Sequence, residues 1–282
     1  MKSLPIFDGT IPWKHTLHTH SNFCDGKCQP DKYVEAAKQL GLKTLGFSSH
    51  APAPDPPGND AVNLFWCMPL ERLQTYTETI RDLKDRFADS LDIRLGLEID
   101  YLPEIMGPNH PIFEAEKLDY TIGSVHAAGT WPDGAVWTVD CSPEKFAAGI
   151  DALFGGSVEK AGREYFRRIR EMVAEQPPDI IGHFDLIKKN NLTMNFLDES
   201  AKWYRNAVFE TLEAVAASNC IIEINTGGMA RGYIDQPYPS SFIIKQCRKL
   251  HIPVMINSDA HHPDYLTALF DKAGELLIDA GY

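Results

Sequence analysis

Histidine and carboxylate residues recur along this chain in short motifs that share one chemistry. The segment HTHSNFCDG carries His18, His20 and Asp25, SSH ends in His50, and GLEID holds Glu98 and Asp100. GSVH ends in His126, GHFD holds His183 and Asp185, EINT holds Glu223, and NSDAH supplies Asp259 and His261. Imidazole nitrogen and carboxylate oxygen, without clustered thiolate, suit zinc, manganese or iron. The donors exceed what one ion takes, so the pattern predicts a cluster of two or three. Ions held this way act as Lewis acids and lower the pKa of bound water toward about 7, which makes hydroxide available at neutral pH.

The donors can meet only if the chain brings them to one level. Apolar runs rich in β-branched residues predict strands over 14–20, 43–50, 93–100, 119–126, 179–185, 220–226 and 253–259, as buried parallel strands require. Helical spacing fills the intervals at 30–40, 70–88, 159–175, 198–218, 240–250 and 264–280, with Pro30 at a first helical position and Gly41 at a stop. Strand and helix alternate, which predicts a parallel βα architecture. No linker divides it, so residues 1–282 read as a single domain. The donors gather at the C-terminal ends of the strands, where βα barrels place their active sites. Strand alternation sends His18 and His20 to the same side. Two long connections, 51–69 and 127–146, follow strands at that face and read as loops over the site.

Other residues of the same types read as structural. His15 has the opposite parity to His18 and His20 and falls outside the site. His262 reads as a solvent-facing neighbour of His261, and His110 and His251 as helix-edge residues. Cys24 and Cys28 flank Asp25, but no second cysteine pair exists to complete a zinc site, so they read as free thiols. RRIR at 167–170 reads as a solvated helix face, and NTGGMARG lacks the lysine and spacing of a P-loop.

Composition narrows the partners. The chain has 282 residues, is 44% hydrophobic and carries a formal charge of −12. That charge argues against nucleic acid bound through a basic surface, but leaves a small anion open, because bound cations reverse the local field. The N-terminal MKSLPIFDGTIPWKHT has no apolar signal-peptide core, and no run of ~18 apolar residues predicts a membrane span. The six scattered cysteines read as reduced thiols. The expectation is a cytoplasmic protein.

Taken in order, HTHSNFCDG, SSHAP, GLEIDY, GSVH, GHFD, EINTGG and NSDAH resemble the motif series of the polymerase and histidinol phosphatase (PHP) superfamily, in particular its histidinol-phosphatase branch. The resemblance implies a distorted (β/α)7 barrel with three divalent ions (zinc, manganese and/or iron) at the C-terminal face of the strands. Carried over by position, the first ion takes His18, His20, Glu98 and Asp259. The second shares Glu98 and takes His126 and His183, and the third takes Asp25, His50 and His261. Asp25 stands where many members have histidine, and Gly227 removes a possible hydroxyl. Lys188 and Arg231 fall where the branch has basic residues for phosphate, with Lys189 an alternative to Lys188. Asp185 is expected to orient His183.

The reaction so implied is hydrolysis of L-histidinol phosphate to L-histidinol and phosphate in histidine biosynthesis. A metal-activated hydroxide is the nucleophile, and no proton donor to the leaving alcohol is assigned. Asp55, Trp66, Trp131 and Asp133 on the long connections are candidates for meeting the imidazole and the ammonium group. The alternative is a phosphoesterase of the same family acting on a nucleotide or sugar phosphate. A metal-binding domain without catalysis is disfavoured, because all nine ligand positions are filled.

Overall fold

The computed structural model describes residues 3–53, 64 and 66–282. Among them are the strands β1 (His15–Thr16), β2 (Thr44–Phe47), β3 (Asp92–Asp100), β4 (Tyr120–Ser124), β5 (Ala127–Thr130), β6 (Val136–Thr138), β7 (Ile180–Ile181), β8 (Ile221–Asn225) and β9 (Val254–Asn257). All but β5 and β6 form one parallel sheet in the order β1-β2-β3-β4-β7-β8-β9. Its two edges then meet. Thr19 bridges Ala260, the His20 N–H donates to Ala260 O at 2.9 Å, and the Ala260 N–H donates to His18 O at 3.2 Å. The result is the nearly closed seven-stranded βα barrel that the motif series implied.

The strands are buried throughout β2, β8 and β9, which is why they read as unbroken apolar runs. The barrel is plugged below its mouth by Tyr120, which is 1% exposed. Its hydroxyl donates to Leu17 O and, at 3.2 Å, to Phe47 O. Gly46 and Gly96 make room for it, since a Cβ at either position would strike the Tyr120 side chain. The ladder ends before the donor residues at β1 and β7, so His18, His20 and His183 sit where the chain turns into the mouth.

The helices are α1 (Pro30–Gln39), α2 (Leu73–Arg86), α3 (Pro143–Phe154), α4 (Val158–Glu175), α5 (Asn191–Met194), α6 (Lys202–Ala216), α7 (Gly227–Ala230), α8 (Ser241–Lys249) and α9 (Phe270–Asp279). The stripe Ala161, Tyr165, Phe166, Ile169, Met172 and Val173 is buried on α4, the three-and-four spacing of a core-facing helix. Helix α6 begins later than its spacing suggests, because the Asp198 side chain bonds Ser200 N–H at 2.8 Å and makes a turn there. Helix α9 is likewise shortened by a separate 3₁₀ turn at Pro263–Tyr265.

The connection 127–146 is not one loop, contrary to the sequence expectation. Ala127–Thr130 and Val136–Thr138 pair as an antiparallel hairpin, and Pro143 opens α3. Pro132, Asp133 and Gly134 form the turn, with Gly134 at φ +91° and its N–H on Trp131 O at 2.9 Å. Ser142 caps α3 by accepting the Lys145 N–H at 3.4 Å. Trp137 is buried beneath α3, where Gly149 leaves space for its ring. RRIR is also more than a solvated face. Arg168 donates to Ala127 O at 3.0 Å and Arg170 to Thr211 Oγ1 at 2.9 Å, which ties α4 to the hairpin and to α6. No helix among the described residues is long and apolar enough to cross a membrane.

Candidate metal centre

Glu98 lies at the centre of the site. Period-two alternation along β3 turns Glu98 and Asp100 to the same side, into the mouth, and the Glu98 residue is 1% exposed. Its Oε2 lies 3.2 Å from His18 Nε2, 3.4 Å from His20 Nε2 and 3.0 Å from His50 Nδ1. Its Oε1 lies 2.9 Å from His183 Nε2 and 3.6 Å from His126 Nε2. One carboxylate therefore spans two sets of imidazoles. Asp259 Oδ1 closes the first set, 3.2 Å from His20 Nε2 and 3.7 Å from His18 Nε2. Asp259 itself holds a left-handed backbone, φ +50°, a conformation that aspartate tolerates better than most side chains. A further set surrounds Asp25, whose Oδ2 is 3.1 Å from His261 Nε2 and whose Oδ1 is 3.9 Å from His50 Nε2.

Three groups of donor atoms result, each compact enough for a metal ion: His18, His20 and Asp259; Glu98, His126 and His183; and His20, Asp25, His50 and His261. The donors fit a cation on a second ground. His18 Nε2, His20 Nε2 and Asp25 Oδ1 are buried with no hydrogen-bond partner among the described residues. Buried polar atoms are ordinarily paired, and unpaired nitrogens facing carboxylates are what a divalent ion satisfies.

Glu223 belongs to none of the ligand sets expected from the sequence, and it fixes the cluster from below. Its carboxylate accepts from His18 Nδ1 at 2.9 Å, the His183 N–H at 2.7 Å, Asn225 Nδ2 at 2.8 Å and Asn257 Nδ2 at 2.9 Å. The bond at Nδ1 leaves His18 Nε2 as the free nitrogen, which sets the tautomer a metal requires. Asp100 does the same for His126, with Oδ1 2.7 Å from Nδ1. The sequence signal was the alternation Glu223–Asn225, which turns both into the barrel. Glu223→Gln should weaken metal affinity by about 10–100-fold, the usual cost of losing such an orienting partner. Titration of the metal-free variant with zinc would measure it, and wild-type affinity would show that Glu223 orients nothing.

The comparison with protein families bears directly on this cluster. The PHP domain family matches residues 16–227. The chain belongs to the PHP domain family. A probable histidinol-phosphatase of Deinococcus radiodurans is 30% identical over 268 residues, spanning 94% of this chain and 92% of the relative. The histidinol-phosphatase of Bacillus subtilis is 28% identical over 261 residues, spanning 88% and 93%. Among solved structures, the histidinol phosphate phosphatase of Lactococcus lactis, complexed with zinc, L-histidinol and phosphate, shares the fold. Its TM-score is 0.71 at 24% identity, covering 95% of this chain and 94% of that one.

The metal-free PHP cluster holds protons. Burial opposes charge on His126, but Asp100 and Glu98 outweigh it and raise its pKa to about 10. Burial opposes charge on His18 too, yet Glu223, Glu98 and Asp259 hold it well above the usual imidazole value. His20 goes the other way, to about 3, through burial and the neighbouring His261 and His50. Burial works against ionisation of Glu98, but His50 and His18 keep its carboxyl well below the usual range. Both shifts favour the protonated imidazoles, which compete with ligation at His18 and His126. Zinc binding should release protons near pH 7, and apparent affinity should rise with pH toward about 10, where His126 titrates. Calorimetry in buffers of different ionisation enthalpy reads the release, and equal heats in all buffers would refute it.

Above the cluster opens a cavity of about 340 Å³. Arg231 and Lys189 line it, while Lys188 does not. Lys188 as a phosphate contact is thus corrected. It is 0% exposed, with its ammonium 2.8 Å from Asp185 Oδ2 and donating to Pro237 O at 3.0 Å. The same pair corrects the role expected of Asp185, which holds Lys188 and the Ser240 N–H at 3.0 Å and has no bond to His183. Arg231 donates to Asp259 O at 2.9 Å and to Asp259 Oδ2 at 3.0 Å. The ring of Tyr233 stands between the two cations, 4.7 Å from Lys189 Nζ and 5.9 Å from Arg231 Cζ.

The structure sorts the loop candidates. Trp66 lines the cavity, its ring 5.7 Å from that of His126 and its Nε1 donating to Asp100 Oδ2 at 3.3 Å. Trp131 and Asp133 belong to the hairpin turn and are not among the lining residues. Asp55 lies outside the described residues. His15 bonds Thr44 Oγ1 at 2.9 Å, away from the cluster. Burial pushes the Cys24 thiol up to about 12, consistent with a free thiol.

Proposed function

We propose that this PHP domain is a metal-dependent phosphomonoesterase that hydrolyses L-histidinol phosphate to L-histidinol and phosphate in histidine biosynthesis. The observation that carries the reading is Glu98, one buried carboxylate spanning two imidazole sets beneath a cavity lined by Lys27, Lys189 and Arg231. The near full-length similarity to histidinol-phosphatases supports the substrate, as does the zinc, histidinol and phosphate complex on the same fold.

Three divalent ions, zinc, manganese or iron, are proposed. His18, His20, Glu98 and Asp259 would hold the first, Glu98, His126 and His183 the second, and Asp25, His50 and His261 the third. Bound there, the ions supply Lewis acidity and bring coordinated water toward a pKa of about 7. The chain's own residues position the ester. Phosphoryl transfer spreads negative charge over the equatorial oxygens, so fixed cations lower the barrier. Arg231, held by two bonds to Asp259, is one such cation, and Lys189 is another. Trp66 and Tyr233 give the cavity apolar walls for an imidazole. Its size suits a small ester, at the lower end of ligand pockets.

Steady-state kinetics of the metal-loaded protein on L-histidinol phosphate and AMP test the proposal. The kcat/KM for histidinol phosphate should exceed that for AMP by about 100-fold or more, as expected for a site shaped to one polar substrate. Equal or faster turnover of AMP would move the assignment to a nucleotide ester.

A further inference from the structure

Among the described residues lining the cavity, the carboxylates are Asp25, Glu98, Asp140 and Asp259. Three belong to the donor groups around the metal positions, and Asp140 does not. Asp140 follows β6 and is held on both sides. The Val139 N–H donates to His126 O at 2.8 Å, and Asn190 Nδ2 donates to Cys141 O at 3.1 Å. Its Oδ1 pairs with Lys189 Nζ, and its side chain remains 37% exposed. A carboxylate accepts about four hydrogen bonds, so one lysine leaves it with capacity toward the cavity.

We propose that Asp140 receives the ammonium group of the substrate and selects amino-alcohol phosphates over amine-free esters. The proposal rests on the histidinol phosphate reading and deepens it. In such an ester the ammonium sits on the carbon next to the ester carbon. The anion that meets it must therefore stand beside the cation that meets the phosphate. Asp140 beside Lys189 is that arrangement, with charges alternating from phosphate to Lys189 to Asp140 to ammonium. The acidic candidates from sequence were Asp55, outside the described residues, and Asp133, seven positions before Asp140 on the far turn of the hairpin.

The test compares L-histidinol phosphate with its deamino analogue, 3-(imidazol-4-yl)propyl phosphate, in wild type, Asp140→Asn and Asp140→Glu, all metal-loaded. Any disturbance that Asp140→Asn transmits to the phosphate through Lys189 acts on both esters and cancels in their ratio. The kcat/KM ratio of histidinol phosphate over the analogue should fall by about tenfold or more in Asp140→Asn, the scale of one lost polar recognition contact. It should be partly kept in Asp140→Glu. A wild-type selective ratio that survives Asp140→Asn overturns the role of Asp140 and leaves the substrate reading intact. A wild type that prefers the deamino ester overturns both.

Discussion

Glu98→Gln is expected to lower kcat by more than about a thousandfold, beyond the cost of removing a single stabilising donor. The amide keeps the shape of the side chain and can still meet the Ser124 hydroxyl, which lies 2.7 Å from Oε1. It removes the one negative charge that faces His18, His20 and His50 through one oxygen and His126 and His183 through the other. An amide also presents an N–H₂ where one ion's ligand oxygen stood, so it cannot bridge two sites. The variant should bind fewer ions per chain, by elemental analysis, while its circular dichroism stays native. Wild-type turnover by Glu98→Gln would remove the bridging carboxylate from the account.

Complete removal of metal should abolish hydrolysis of histidinol phosphate, with recovery on adding back zinc, manganese or iron. The donors in the three groups are imidazole and carboxylate, which admit all three ions. The metal-free chain should also melt lower. Ions present at 1,000 times their Kd contribute about 4 kcal/mol per site, and a chain of this size shifts by about 2–4 °C for each kcal/mol. A fall of about 10 °C in Tm for each site emptied is therefore expected, read by calorimetry before and after chelation. Undiminished activity in a preparation shown by elemental analysis to be metal-free would exclude the mechanism.

Much of this was legible in the chain because the barrel has a simple pattern. Buried parallel strands must be continuous apolar runs, and all seven were found within a few residues of their expected positions. The strand ends then locate the donors, and the structure brings all nine sequence-derived metal-ligand candidates into one cluster. What escaped had physical reasons. The hairpin β5–β6 opens on Ala-Ala-Gly, which has little strand propensity. Lys188 ends a 3₁₀ turn and Lys189 caps it, yet the first enters a buried ion pair and the second lines the cavity. The clue was the spacing of Asp185 and Lys188, three residues apart, which on a helical turn brings the two charges together. Glu223 and Asp100 act through the histidines they orient, a role that no motif spells out.

The central claim is that three ions, held by three donor groups, sit beneath a phosphate clamped by Lys189 and Arg231. A crystal structure of the metal-loaded protein with bound phosphate, with anomalous data collected at the metal absorption edges, tests it directly. The account predicts three anomalous peaks, Glu98 ligating two of the ions, and phosphate oxygens within hydrogen-bond reach of Lys189 and Arg231. A single peak, or a phosphate bound away from these residues, would contradict it.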